Sequence, residues 1–342
     1  MSDNKQQNDS RYVHICAPAR LHLGFLDLHG GLNRKFGSLG LSVSNIYTSL
    51  TATYADDISL IGINNQRAID YAEQMLSHYG INGGLCMNIN SAIPEHAGLG
   101  SGTQLSLVIA AAIAALYDID DPVENYAAIL HRGARSGIGI GTFKHGGFIV
   151  DGGRGENTVV PPVVAHSSMP QHWRILLIFD EAAEGMNGVP ERRAFNTLPP
   201  MDEHASGLLC RLTMMQVLPA LSEQDCERFG HAITEIQTIV GDYFAQAQGG
   251  RFTSPFMQDI LNDLRSFGST GTGQSSWGPT GFAFFPNETT AFQAMKQIRE
   301  NWQHETSIKF SISEPMNEPA LINVSNSSEQ KSIDMENKIK TI

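Results

Sequence analysis

Pro94-Glu95-His96-Ala97-Gly98-Leu99-Gly100-Ser101-Gly102-Thr103-Gln104 runs without a break into Leu105–Tyr117, which reads Leu-Ser-Leu-Val-Ile-Ala-Ala-Ala-Ile-Ala-Ala-Leu-Tyr. The first part alternates three glycines with small residues. The second is apolar on nearly every side, the pattern of a buried helix. Ser101 or Thr103 is the expected N-cap. A glycine loop that opens a helix leaves backbone N–H groups unpaired at the positive end of the dipole, which suits an anion. Glycine also lets the backbone approach a phosphate with no Cβ in the way. The plainer alternative is a tight turn before a core helix. Other phosphate loops fit poorly. The dinucleotide fingerprint needs a third glycine where Thr103 stands, and the Walker loop needs Gly-Lys-Ser/Thr, which is absent.

The chain around this stretch has 342 residues, of which 41% are hydrophobic and 17% charged. That is the composition of a globular protein with room for one large or two ordinary domains. The net charge of −12 argues against nucleic acid or an anionic membrane as partner. A local basic pocket for an anionic substrate remains compatible with it. Cys16, Cys86, Cys210 and Cys226 show neither a CxxC pair nor metal-ligand spacing. They read as reduced thiols of a cytoplasmic protein. The polar start Met1–Asn8 has no apolar signal region, and Leu105–Tyr117 is too short to span a bilayer.

Hydrophobic patterning outlines an α+β chain. Strands are expected at Tyr12–Ala17, Leu50–Tyr54, Ile58–Ile61, Leu85–Ile89, Trp173–Phe179, Phe282–Phe285 and Ser307–Ser313. Helices are expected at Ile69–Tyr79, Asn125–Gly133, 203–219, 223–247, 255–267 and Thr289–Gln303. Gly185–Pro200 reads as a loop carrying Arg192 and Arg193. Residues 1–10 read as disordered. A proline- and serine-rich stretch at Val159–Pro170 suggests an N-terminal domain over 1–165 and a second over 166–325, followed by a polar tail at 326–342. Strands mixed with helices, then helices, then strands again point to α+β in two halves.

Four motifs carry the chemistry. They are Pro18-Ala-Arg20-Leu-His22-Leu-Gly24-Phe-Leu-Asp27, the glycine loop itself, Arg132–Gly153, and Gly273-Gln274-Ser275-Ser-Trp277-Gly-Pro279. The glycine loop resembles the second motif of the GHMP superfamily, which includes galactokinase, homoserine kinase and mevalonate kinase. The resemblance implies a two-domain GHMP-kinase-like fold with nucleotide-type phosphate on this loop. Two departures stand against a kinase. The kinases' second loop serine, which helps hold magnesium, is Gly102 here. Their Ser-Gly-x-Asp, whose aspartate assists the accepting hydroxyl, is Ser136-Gly137-Ile138-Gly139 here.

Together the four motifs resemble the β-ribofuranosylaminobenzene 5′-phosphate synthase branch of that superfamily. The resemblance implies condensation of phosphoribosyl pyrophosphate with 4-aminobenzoate or 4-hydroxybenzoate. It implies release of CO2 and pyrophosphate, in tetrahydromethanopterin biosynthesis. It also implies magnesium bound with the donor's diphosphate, and a homodimer. An ATP-dependent small-molecule kinase and a non-catalytic binding member of the fold are the alternatives.

The implied substrates carry three anionic groups. Gly98, Gly100, Ser101, Gly102 and Thr103 suit the diphosphate through backbone N–H groups. Ser136 and Gly137 suit a second phosphate by the same logic, with Arg135 and Lys144 flanking. Arg20 suits a bidentate clamp on carboxylate or phosphate. Gln274, Ser275 and Trp277 form the last stretch of expected substrate contacts, with Trp277 stacking on the benzoate ring. Positive charge builds on the ribose as pyrophosphate leaves, so a fixed carboxylate is expected nearby. Asp27 is the first candidate and Glu95 the second. His22 is the candidate for accepting the proton of the para substituent, with a buried structural histidine as the alternative. Asp151 reads as a turn cap.

Overall fold

The computed structural model describes residues 11–63, 66–186 and 188–326. The expected disordered start and almost all of the polar tail lie outside the described residues. Two sheets organise the chain. The first holds seven strands in the order β11-β1-β2-β4-β3, with β5 on β2 and β6 on β5. Here β1 is Tyr12–Asp27, β2 Phe36–Ala55, β3 Ser59–Gly62, β4 Gly84–Ser91, β5 Phe148–Asp151, β6 Val163–Ser167 and β11 Leu321–Ser325. The second sheet is β10-β7-β9-β8, made of Ile308–Ser313, Arg174–Asp180, Gly281–Phe285 and Gly271–Gln274. Strand β6 straddles residue 165 and pairs with β5, and β11 returns from the far end of the chain to pair with β1. Both therefore belong to the first sheet.

Strand β1 is far longer than Tyr12–Ala17. It absorbs the whole first motif, with breaks in register at Pro18/Ala19 and His22/Gly24. Side chains alternate across a strand. Leu21, Leu23, Leu39, Leu41, Phe148 and Val150 therefore enter one core, shared with Trp173 and Phe229 of the second half. Arg20, His22 and Phe25 take the other face, opposite Ser42, Gly40 and Ser38 of β2, and Ser38 in turn lies opposite Asp151 of β5.

Eleven labelled elements complete the description on the helical side. In chain order the first four helices are α1 Gln66–His78, α2 Ser101–Tyr117, α3 Val123–Ile129 and α4 Ile138–His145. Then come α5 Gly188–Thr197 and α6 Glu203–Leu212, a π-turn at Thr213–Val217, and α7 Leu218–Glu223, α8 Cys226–Gln248, α9 Met257–Ser266 and α10 Glu288–Asn301. Helix α2 is buried from Gln104 to Ala114 and at Leu116, as its all-round apolar sequence requires. Neither expected hydroxyl caps it. The N-cap is Gly100, at φ 84°, and no side chain accepts from the first turn. A left-handed residue reverses the chain there without a side chain, which is glycine's particular use. The Gly185–Pro200 loop is also corrected, because Gly188–Thr197 is helical, with Pro190 in its first turn where a missing N–H costs nothing. No described helix is long and apolar enough to cross a membrane.

Candidate active site

The N-termini of α2 and α4 approach the polar face of the first sheet. Backbone contacts knit three of the motifs together. Arg20 N donates to Leu99 O at 3.1 Å, and Ser276 N donates to His22 O at 3.1 Å. Ser275 Oγ accepts from His22 N at 3.0 Å and donates to Gly98 O at 2.7 Å. The Arg20 guanidinium also donates to Gly98 O. Gly100 lies directly beneath it: a Cβ at Gly100 would come 3.1 Å from Arg20 Nε. The third motif enters from the other side. Ser136 Oγ lies 2.6 Å from Ser38 Oγ, and Ser38 Oγ donates to Asp151 Oδ2.

Charge in this region runs against the chain's net −12. Burial pushes Arg20 down to about 10, with Glu191 opposing the shift, so it stays a cation at neutral pH. His22 is 4% exposed and is held down to about 3, by burial first and by Arg20 second. It is a neutral imidazole at any working pH. An unfolded histidine takes its proton near 6.5. Between about 6.5 and 3 the unfolded chain therefore binds more protons, and this site's contribution to stability is lost as pH falls through that window. His22→Asn is expected to flatten the acid side of the stability–pH curve, measured by denaturant unfolding between pH 4 and 7. An unchanged slope would mean that His22 is accessible to protons in the fold.

Several expected contacts are relocated by the structure. Asp27 sits at the end of β1, about 16 Å from His22 at ~3.3 Å per strand residue. Its Oδ1 accepts from His29 N and Gly30 N, both at 2.8 Å, so it holds a turn. Asp27→Asn keeps that acceptor. It is expected to leave turnover within about threefold and the melting temperature nearly unchanged, because the amide oxygen keeps both backbone bonds of the half-buried turn. A 100-fold fall in kcat would return Asp27 to the chemistry. Glu95 is paired with Arg67 at the rim of the loop. Lys144 is at the far end of α4, about 9 Å along the axis from its start, and bonds Glu124 at 2.7 Å. The N–H of Gly137 donates to Asp151 Oδ2 at 2.9 Å, so it is not available to a phosphate.

The last motif holds the loop from behind. Gln274 Oε1 accepts from Thr253 N at 2.7 Å, and Gln274 Nε2 donates to Ser276 O at 3.2 Å. Trp277 is 6% exposed and packs against Phe244 and Phe195, with ring centres 4.6 and 5.7 Å away. It forms one wall of a small cleft with His22, Phe25, Gln237, Val240 and Phe244. Ser101, Gly102 and Thr103 occupy the first turn of α2 as expected, and Thr103 faces Gly139.

Two site residues were missed or undervalued. Glu191, on the helix read as a loop, bonds Arg135 at 2.8 Å and acts on Arg20. Arg135 also lies over the Phe195 ring, 4.6 Å from its centre. Asp151 does cap its turn, accepting from Gly153 N at 2.9 Å, but it is completely buried and also ties Ser38 to Gly137. Its position between a buried strand and two glycines was the available signal.

The GHMP kinases N terminal domain matches residues 66–147, and the GHMP kinases C terminal domain matches 217–304. The β-ribofuranosylphenol 5′-phosphate synthase of Methanothermobacter thermautotrophicus is 30% identical over 287 residues, covering 78% of this chain and 86% of its own. The chain belongs to the β-ribofuranosylphenol 5′-phosphate synthase family. The family's representative from Methanocaldococcus jannaschii is also 30% identical, over 298 residues, 79% of this chain and 88% of its own. Among solved structures, Lactococcus lactis galactokinase complexed with galactose superposes with a TM-score of 0.68 at 14% identity, covering 91% of this chain and 95% of that one. Homoserine kinase from Cytophaga hutchinsonii gives 0.65 at 14% identity, covering 91% and 97%. At that identity the likeness concerns the fold. This synthase family thus shares the two-domain α+β fold of the GHMP kinases.

Proposed function

We propose that the protein joins C1 of phosphoribosyl pyrophosphate to the carboxylate-bearing carbon of a 4-substituted benzoate, with 4-hydroxybenzoate as the leading acceptor. The products are a β-ribofuranosylphenol 5′-phosphate, CO2 and pyrophosphate. The observation that carries the reading is the match to the Methanothermobacter synthase over 86% of its length, combined with the first and last motifs meeting the glycine loop at Arg20, His22 and Ser275. The word phenol in the names of both relatives favours the hydroxy acceptor over the amino one.

In this reading the glycine loop and α2 N-terminus bind donor phosphate, and Arg20 supplies a partly desolvated cation beside them. The cleft walled by Phe25, Phe244 and Trp277 offers flat apolar surface to the acceptor ring, with the neutral His22 ring at its edge. The C1–O bond breaks with its electron pair leaving on diphosphate. The ring carbon forms the new C–C bond, and the C–CO2 bond then breaks to restore aromaticity. The para hydroxyl gives its proton to solvent water as the ring attacks, and the phenolate left when CO2 departs takes one back. His22 is the group placed to accept a hydrogen bond from the hydroxyl. Glu191, ion-paired with Arg135 at 2.8 Å, replaces Asp27 in this reading as the carboxylate for the sugar's developing charge.

Among the described residues no group of three or more His, Cys, Asp or Glu is arranged to hold a metal ion. Magnesium enters this reading with the donor's diphosphate, as part of the substrate. The four cysteines are all free thiols, which supports a reducing compartment.

The kinase alternative loses ground on one contact. Gly139 stands where the kinases carry their aspartate, and a Cβ there would lie 2.9 Å from Thr103 Cγ2. The packing of α4 on α2 leaves no space for an aspartate. Mass spectrometry after incubation with donor, Mg²⁺ and 4-hydroxybenzoate should find the C-riboside 5′-phosphate. ADP formed from ATP, with no riboside, would overturn the reading in favour of a kinase.

A further inference from the structure

Two arginines outside the expected contacts stand beside the glycine loop. A Cβ built on Gly102 would lie 3.6 and 3.7 Å from the two terminal nitrogens of Arg132 and 3.7 Å from a terminal nitrogen of Arg67. Arg67 comes from the first turn of α1, and Arg132 follows α3. Two remote segments thus bring two guanidinium groups to one residue in the first turn of α2. Like charges so placed repel, and Arg132 is held below the usual arginine value by burial and by Arg67. The fold retains it nonetheless. Arg132 lies over the Tyr71 ring, 5.1 Å from its centre, and donates to the Tyr71 hydroxyl. Its Nε is buried and has no hydrogen-bond partner among the described residues. Arg67 is paired with Glu95 of the loop. The adjoining end of α2 has no side-chain cap and no acidic residue in its first turn. The N–H groups of Ser101 and Gly102 are among those that intrahelical bonds cannot reach. Two repelling cations and an uncapped helix end share one spot. A multiply charged oxyanion relieves both.

We infer that Arg67 and Arg132 clamp the diphosphate of the donor, the group that leaves; this assignment rests on the synthase reading above. Residue 102 is where the kinases it resembles carry a metal-holding serine, and glycine there leaves the approach to the two guanidinium groups open. The protein's own neutralisation of the leaving group is therefore by arginine. As the C1–O bond breaks, the electron pair moves onto the diphosphate, and the clamp holds the added charge. Arg67 exchanges Glu95 for the diphosphate, which makes Glu95 a resting counter-ion.

The test is calorimetric titration of inorganic pyrophosphate into the whole protein in EDTA, for the parent, Arg67→Gln and Arg132→Met. The parent should bind without metal, and each variant should weaken binding about tenfold or more. Affinity of the parent should also fall as salt rises. Arg132→Met removes packing from Tyr71, so its melting temperature is recorded alongside. If it does not fold, the half-exposed Arg67→Gln carries the comparison. Unchanged affinity in Arg67→Gln, or binding by the parent only with Mg²⁺, overturns the clamp. Riboside formation is followed in parallel. Unchanged pyrophosphate binding in Arg67→Gln beside normal turnover overturns the clamp and leaves the synthase reading standing. Arginine-dependent pyrophosphate binding by a parent that makes no riboside does the reverse.

Discussion

Arg20→Met is expected to lower kcat/KM by roughly 10²–10³-fold or more, the usual cost of removing one partner of a desolvated charge pair. The melting temperature should stay level or rise slightly. The two effects separate because Arg20 is a cation in a partly desolvated place. Its guanidinium donates to Gly98 O, which also accepts from Ser275 Oγ at 2.7 Å and so stays satisfied when the guanidinium goes. Replacing such a charge by an apolar chain of similar length removes a desolvation cost from the empty protein. The loss then appears only when an anion is bound. Pyrophosphate release at varied donor concentration, with calorimetric melting of both proteins, checks it. A melting temperature that falls together with activity would make Arg20 a strut for the glycine loop.

Asp151→Asn should act on both. The carboxylate accepts from Ser38 Oγ and from Gly137 N at 2.9 Å on one oxygen and from Gly153 N at 2.9 Å on the other, so although the Ser38 hydroxyl can accept from an amide, an NH2 group in either orientation meets a backbone N–H. The variant turns one acceptor into a donor facing donors, inside a fully buried site. A cost of about 3 kcal/mol or more is expected, which is a fall in melting temperature of roughly 5 °C or more. Turnover should drop at least about tenfold, because Ser136 and the start of α4 lose the group that sets their position. Equal melting curves for Asp151→Asn and the parent would show that the carboxyl is protonated and already donates in the native protein.

The motifs were legible because each owes its residues to a local constraint. Gly100 is needed for a positive φ, and Gly98 lets Ser275 and Arg20 reach its carbonyl. What the linear sequence concealed was distance. Pro18–Asp27 looks like one cluster, yet a strand spreads Arg20 and Asp27 about 23 Å apart. Conversely, Arg67 and Arg132 are 65 positions apart and meet at Gly102. Helix α5 escaped notice because one buried alanine gives it little periodicity, and Glu191 and Phe195 went with it. Strand β11 is missing from the expected strands because its Ile322 and Val324 are half exposed and its pairing partner, β1, lies some 300 residues earlier.

The central claim is that one turnover makes a carbon–carbon bond at the expense of a carboxylate. Carboxyl-labelled 4-hydroxybenzoate incubated with phosphoribosyl pyrophosphate and Mg²⁺, without ATP, tests it most directly. The account predicts labelled CO2 and pyrophosphate in equal amounts, and no CO2 when the donor is left out. Pyrophosphate released with the label still on the aromatic product would contradict it.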